Sequence, residues 1–195
     1  MTLDPDRRRI VQLSLLAIAA NALPAAGAPR GAAPADLASD DPARAFDFFL
    51  GSWQVRYRRL KQRLLGDNDW QAFEGVCKVQ SIFAGLAQTD ESAVHRPDQP
   101  YRGFSLRSYD PASKTWADWW LDTRNPHKIV APMLGGFADG VGTFYGQTTL
   151  RERAVKVRGL WTRGDADSVQ WEQAFSPDEG KTWETNWVSR YRRVG

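Results

Sequence analysis

The sequence predicts an all-β fold, an antiparallel closed barrel of about 8–10 strands with a short N-terminal helix. Three observations predict it. From residue 53 onward apolar residues recur at alternate positions in short runs, as in Trp53, Val55 and Tyr57 against Gln54, Arg56 and Arg58. Turn residues separate the runs at close spacing, as in Gly66-Asp67-Asn68-Asp69 and Gly164-Asp165-Ala166-Asp167. No helical pattern is long enough for the crossover that parallel strands need. A sandwich is the other way to close such a meander.

Ahead of the strands, residues 1–28 read as an export signal. Arg7-Arg8-Arg9 is basic, Ile10 to Leu23 is mildly apolar, and Ala26-Gly27-Ala28 fits an A-x-A cleavage site. The apolar stretch is too short to span a bilayer and contains Gln12, Ser14 and Asn21. Paired Arg before a weakly apolar segment resembles a twin-arginine signal, with a Sec signal as the alternative. No Cys follows, which excludes a lipoprotein anchor. The expectation is a periplasmic or secreted protein with no stable membrane anchor; a disordered tail on a cytoplasmic protein is the competing reading. Residues 29–40, with Pro29, Gly31 and Pro34, read as a linker, leaving 41–195 as the barrel domain.

Asp41-Pro42 is an N-cap and first helical position, and Gly51 follows a helix end, so a helix of one or two turns spans about 42–50. Strands follow at 53–61, 71–80 and 87–95, then a loop with Pro97 and Pro100. The clearest hairpin joins Arg102–Tyr109 to Trp116–Asp122 through Asp110-Pro111-Ala112-Ser113-Lys114. With Tyr109 opposite Trp116, Leu106 faces Trp119, Phe104 faces Leu121 and Arg107 faces Asp118. Periodicity leaves open which face of 116–122 points inward. Beyond Asn125-Pro126, Lys128–Met133 reads as a short strand, and Gly135 to Gly140 as a turn. Further strands are expected at 141–149, 154–162, 168–175 and 182–192.

Ser176-Pro177-Asp178-Glu179-Gly180-Lys181-Thr182-Trp183 matches the Asp-box pattern of sialidase propellers. In that resemblance Ser and Asp tie down the turn, and Gly takes a left-handed conformation. A propeller repeats the unit; it occurs once here, so it reads as a hairpin fastener. Placing Phe175 opposite Trp183 aligns Trp171 with Trp187, Gln173 with Thr185 and Glu172 with Asn186.

Gly51-Ser52-Trp53 at the start of the first strand, after a short helix, resembles the lipocalins and the wider calycin group. The resemblance implies that Trp53 closes one barrel end under an Arg of the last strand, here Arg190, Arg192 or Arg193. Phe48 to Trp53, Tyr109-Asp110-Pro111 with Trp116, Trp119-Trp120-Leu121-Asp122, Gly140 to Gly146 and Trp183 to Trp187 look like a family of bacterial calycin-like exported proteins. That family carries a domain-of-unknown-function label. The resemblance covers residues 45–193 and implies the fold but no activity.

The chemistry is therefore read from the residues. The chain has 26 Lys and Arg against 23 Asp and Glu; residues 1–28 hold three Arg and two Asp, leaving 23 against 21. The signs are interspersed, so nucleic acid is a poor partner. Cys77 is the one Cys, so no intrachain disulfide can form, and its alternating strand suggests a small buried hydrophobe. His95 and His127 are the only His and lack metal-ligand spacing, so no metal or cofactor is expected, haem included. Phosphate loops and a Ser nucleophile elbow are absent from the pattern.

What remains is aromatic. All nine Trp lie beyond residue 28. Trp119, Trp120, Trp161, Trp171 and Trp187, with Gln173 as a polar group and Trp116 beside them, would line a cavity for a small hydrophobic or aromatic molecule. Asp122, Arg124 and His127 sit at a strand end where they could ring its mouth. An exported binding protein needs that cavity alone. An enzyme of the lyase, isomerase or cyclase type would add Asp122 or His127 as base, with Tyr145 or Arg124 stabilising negative charge. The bland alternative is a barrel filled by its own Trp, with Arg107 and Asp118 as a surface pair. A homodimer is compatible with any of the three.

Overall fold

The computed structural model describes residues 41–195, and the stretches read above as an export signal and a linker lie outside the described residues. Ten strands form a closed antiparallel barrel: β1 (Gly51–Leu60), β2 (Trp70–Ile82), β3 (Ala87–His95), β4 (Tyr101–Asp110), β5 (Thr115–Asp122), β6 (Met133–Ala138), β7 (Val141–Leu150), β8 (Arg153–Arg163), β9 (Ser168–Ser176) and β10 (Glu184–Val194). Each strand pairs with its neighbours in sequence and β10 returns to β1, so the sheet closes on itself, with β5 and β6 joined at three pairs alone, Trp116–Gly135, Ala117–Leu134 and Asp118–Met133. The loops after β1, β3, β5, β7 and β9 gather at one end, the mouth. The turns after β2, β4, β6 and β8 gather at the other end with residues 41–50, the plug.

The plug is not one helix but two 3-10 turns, Pro42–Arg44 and Asp47–Phe49. Asp41 caps the first as its sequence suggests, its Oδ1 accepting from the Ala43 amide at 2.9 Å. Phe46, Phe48 and Phe49 are all buried. A regular α-helix would splay these three positions around its axis, so the tighter irregular path is what lets all three enter the barrel. Side chains of the barrel satisfy its backbone. Trp53 Nε1 donates to Phe49 O at 2.8 Å, Trp116 Nε1 to Pro42 O at 2.9 Å and Gln88 Nε2 to Phe46 O at 3.2 Å.

The β4–β5 register is the expected one: Leu106–Trp119, Phe104–Leu121, Arg107–Asp118 and Tyr109–Trp116 are partners. Two expectations are corrected. The strand placed at Lys128–Met133 is instead Met133–Ala138, and its turn to β7 is Asp139-Gly140, both at positive φ (51° and 76°). Gly135 belongs in a strand because β7 passes so close that a Cβ there would lie 2.0 Å from Thr143 O. In the β9–β10 hairpin, Trp187 faces Gln173 and Trp171 faces Ser189, not Trp171 and Trp187 each other. A bulge between Thr185 and Trp187 shifts the register at Asn186, which is fully buried and accepts from Gln173 Nε2 at 2.8 Å.

The Asp-box turn is a fastener. Ser176 Oγ donates to Asp178 Oδ1 and accepts from the Gly180 amide, both at 2.8 Å. Thr182 donates to Asp178 from its amide at 2.8 Å and from its hydroxyl at 2.6 Å. Those bonds hold the Asp178 carboxyl down to about 2.

Candidate functional site

Alternation around the closed sheet decides which side chains enter the barrel. On β1 these are Trp53, Val55, Tyr57 and Arg59; on β4, Gly103, Ser105, Arg107 and Tyr109; on β5, Trp116, Asp118, Trp120 and Asp122. The charged and aromatic face of 116–122 is therefore the inner one. Trp119, with Leu121, Phe104 and Leu106, faces outward. Trp119 is thus removed from the predicted ligand-lining set, because its neighbours Asp118 and Trp120 occupy the inner positions.

Below the plug, Arg107 spans the floor of the barrel. It is 3% exposed, with its guanidinium 5.4 Å from the Phe46 ring, 5.3 Å from Phe49 and 5.0 Å from Trp161. Two carboxylates flank it: Asp90 Oδ2 at 2.7 Å from Nη2, and Asp118 Oδ2 at 3.4 Å from Nε. The reading of Arg107 and Asp118 as a surface pair is corrected. Closing the barrel places both on the concave side, and three aromatic rings cover Arg107. Burial alone would lower the Arg107 guanidinium, but Asp118 and Asp90 raise it above its ordinary value. Burial pushes the Asp118 carboxyl up to about 6; Arg107 opposes that shift and Asp90 adds to it. The Asp118 side chain as a whole keeps 15% of its surface exposed.

Between floor and mouth the inner wall is aromatic. Tyr57 stacks on Phe73 at 5.3 Å between centroids, and Trp187 packs edgewise on both at 5.8 and 5.6 Å. Trp187 Nε1 donates to Ser189 Oγ at 2.9 Å. Trp171 and Met133 lie across Gly159, where a Cβ would sit 3.0 Å from Trp171 Nε1 and 2.9 Å from Met133 Cε. Trp120 lies flat over Gly103, whose missing Cβ would fall 2.1 Å from the indole ring. Trp171, Gln173, Trp187 and Met133 point inward yet are only half-buried, and Trp120 is 36% exposed. Inward side chains that solvent can touch give the mouth half of the inner wall, here called the lumen, a solvent-accessible surface. A groove of about 420 Å³, lined by Pro42, Tyr109, Trp116 and Phe137 among others, lies beside the plug and includes none of these lumen residues.

Of the predicted site residues, Trp120, Trp171, Trp187 and Gln173 share the lumen. Trp161 is inward too, but it packs against the plug at the closed end, 4.9 Å from Phe49 and 5.5 Å from Phe46. The proposed catalytic four do not converge. Tyr145 is on the outer face of β7 and 52% exposed, 6.1 Å from Trp183. His127 is exposed in the loop after β5. Asp122 and Arg124 are at the mouth but bound to each other, Arg124 Nε to Oδ1 at 3.0 Å and Nη2 to Oδ2 at 2.6 Å. Asp122 also accepts from Trp120 Nε1 at 3.0 Å. Partial burial works the other way, yet these bonds hold the Asp122 carboxyl below its ordinary value, which makes it a weak base.

Sequence reasoning missed Asp118, Arg107 and Asp90 as a unit. The available signal was charge alternating with Trp and Tyr on one face of the β4–β5 hairpin. It is undecided until the barrel closes.

No protein-family model matches this sequence, and no curated protein matches it. Solved structures do. A redesigned β-barrel is 12% identical, covering 77% of this chain and 96% of its own, with a TM-score of 0.43. Rv2717c from M. tuberculosis is 16% identical, covering 80% of this chain and 99% of its own, with a TM-score of 0.49. The structural neighbours are β-barrel proteins, and neither supplies a ligand or a residue role to this chain.

Proposed function

We propose that this chain is an exported calycin-like protein that holds a small hydrophobic or aromatic molecule in the open half of its barrel. The carrying observation is the set Trp120, Trp171, Gln173 and Trp187, aimed inward and yet reached by solvent. Flat apolar walls with one side-chain amide suit a planar ligand gripped by stacking and oriented by Gln173. Export rests on the sequence of residues 1–28, and calycin kinship on Gly51-Ser52-Trp53 with Arg193 closing over it.

The test is titration with the neutral fluorescent probe phenylnaphthylamine. Binding should raise probe emission and quench Trp emission. Trp171→Ala or Trp120→Ala should weaken it about 5- to 30-fold, the loss expected for one stacked aromatic wall. Trp119→Ala, on the outer face, should leave it unchanged. No binding by the unmodified protein would defeat the proposal.

A second reading, a cofactor-independent lyase, isomerase or cyclase, is favoured by one observation. Asp118 is a carboxyl near the lumen floor raised to about 6, in the range where a group can both take and give a proton near neutrality. On that reading the base is Asp118 rather than Asp122 or His127. Asp118→Asn would then retain probe binding and abolish any turnover.

A further inference from the structure

The mouth carries a concentration of guanidiniums that an apolar ligand does not need. Arg59 is the last inward side chain of β1, and Arg63, Arg96, Arg124 and Arg151 come from the loops after β1, β3, β5 and β7. Arg124 lies 3.8 Å from the centroid of the buried Tyr101 ring, and Arg63 lies 5.5 Å from that of Phe175. Two of the five have carboxylate partners, Arg96 with Asp98 and Arg124 with Asp122. Among the described residues, neither Arg59 nor Arg63 forms an ion pair; Arg63 instead has its own carbonyl taken by Arg151. Burial, then the neighbouring arginines, lowers the Arg63 guanidinium to about 10, and burial followed by Arg96 lowers Arg59. Positive charges crowded at a partly dry rim repel one another and destabilise the empty mouth. An anion set among them removes that repulsion and gains charge-assisted hydrogen bonds.

We propose that the mouth is an anion site, and that the ligand is amphipathic: an apolar or aromatic body in the lumen and an acidic group, carboxylate, sulfonate or phosphate, at Arg59 and Arg63. The inference rests on the lumen reading above and adds the polarity and direction of entry. The body goes in first and the acid stays at the rim. Arg59 suits this role because it shares its strand face with Tyr57, so one ligand can touch the aromatic wall and the guanidinium together.

The experiment pairs two probes with nearly the same aromatic body, anionic anilinonaphthalene sulfonate and neutral phenylnaphthylamine, on the unmodified protein. The anion should bind at least about tenfold more tightly, as one charge-assisted contact allows. That preference should shrink as NaCl rises from about 0.02 to about 0.5 M, where screening shortens the reach of charge. Arg59→Gln with Arg63→Gln should bring the ratio of affinities toward one. Arg56→Gln, an exposed outward position on the same strand, should leave it alone. Equal, salt-insensitive affinities for the two probes would overturn the anion site and leave the lumen standing. Displacement of the sulfonate probe by equimolar inorganic phosphate would also overturn it, since the contact would then be with a free anion rather than one molecule's head and body. Failure of both probes would remove the lumen reading, and this one with it.

Discussion

The Arg193 guanidinium lies 4.2 Å from the centroid of the Trp53 indole while donating to two carbonyls of the plug, Leu50 O at 2.6 Å and Phe48 O at 2.8 Å. Trp53 is fully buried, and its own Nε1 donates to Phe49 O. The first and last strands are thus joined twice, by their backbone ladder and by this pair, and the plug is fixed at the junction.

That geometry makes Arg193 a stability residue. Arg193→Ala removes two charge-assisted hydrogen bonds and a cation–π contact, and should cost about 2–4 kcal/mol. Arg193→Lys should recover little, because a single ammonium cannot reach both carbonyls and lie flat on the ring. Urea unfolding monitored by Trp emission measures both variants. A loss below about 1 kcal/mol for the Ala variant would mean the plug is held by its aromatics alone.

The floor of the barrel predicts a pH dependence. Asp118 is raised from its ordinary 3.8 to about 6 in the folded protein, so between those values the folded state binds more protons than the unfolded one. Its contribution to stability is present below about pH 4 and lost as pH rises through about 6, on the order of 2–3 kcal/mol. The stability of the native protein minus that of Asp118→Asn should therefore fall from pH 4 to pH 7 and then level off. A difference that rises with pH would reverse the assignment. Arg107→Met leaves Asp90 and Asp118 without their shared cation and should cost about 3–5 kcal/mol at neutral pH.

The fastener between β9 and β10 supplies a third test. Gly180 sits at φ +96°, and an added Cβ would only meet Trp183 at 3.5 Å, an ordinary contact. Gly180→Ala should therefore cost about 1 kcal/mol from backbone strain alone. Ser176→Ala, which frees the Gly180 amide and two Asp178 contacts, to its carboxylate and its amide, should cost about as much by losing hydrogen bonds. Thermal unfolding of both variants checks this, and neither should alter probe affinity.

Much of the fold was legible because a strand writes its period into the chain. Trp53, Val55 and Tyr57 alternate with charged and polar residues, and strand β3 falls at Ala87–His95 as the pattern places it. The β4–β5 register followed from a single turn, since Asp110 and Ser113 set the loop length. Where the pattern misled, a local feature intervened. Gly135 and Gly136 look like a turn, but the close approach of β7 needs a residue without a Cβ. Asn186 gives no outward sign of the bulge, where it is buried and bonded to Gln173 across the hairpin.

The site was less legible. Trp119 and Trp120 are adjacent and identical, and only the curvature of the closed sheet assigns one to the lumen and the other to the exterior. His127 was placed by its nearness to a strand end and Tyr145 by its residue type, and neither criterion tells the inner face of a barrel from the outer one.

By itself the sequence determined that this chain makes a meander of short antiparallel strands, opened by Gly51-Ser52-Trp53 and fastened at Ser176 to Trp183. Those are local matters of alternation and turn chemistry. Tertiary structure decided that Arg107 and Asp118 lie inside with Asp90, that one end is stoppered by phenylalanines, and that arginines from four loops meet at the other. Inside and outside become different only when the last strand meets the first, and no window of sequence spans the 128 to 142 residues that separate their paired positions, from Arg59–Trp187 to Ser52–Val194.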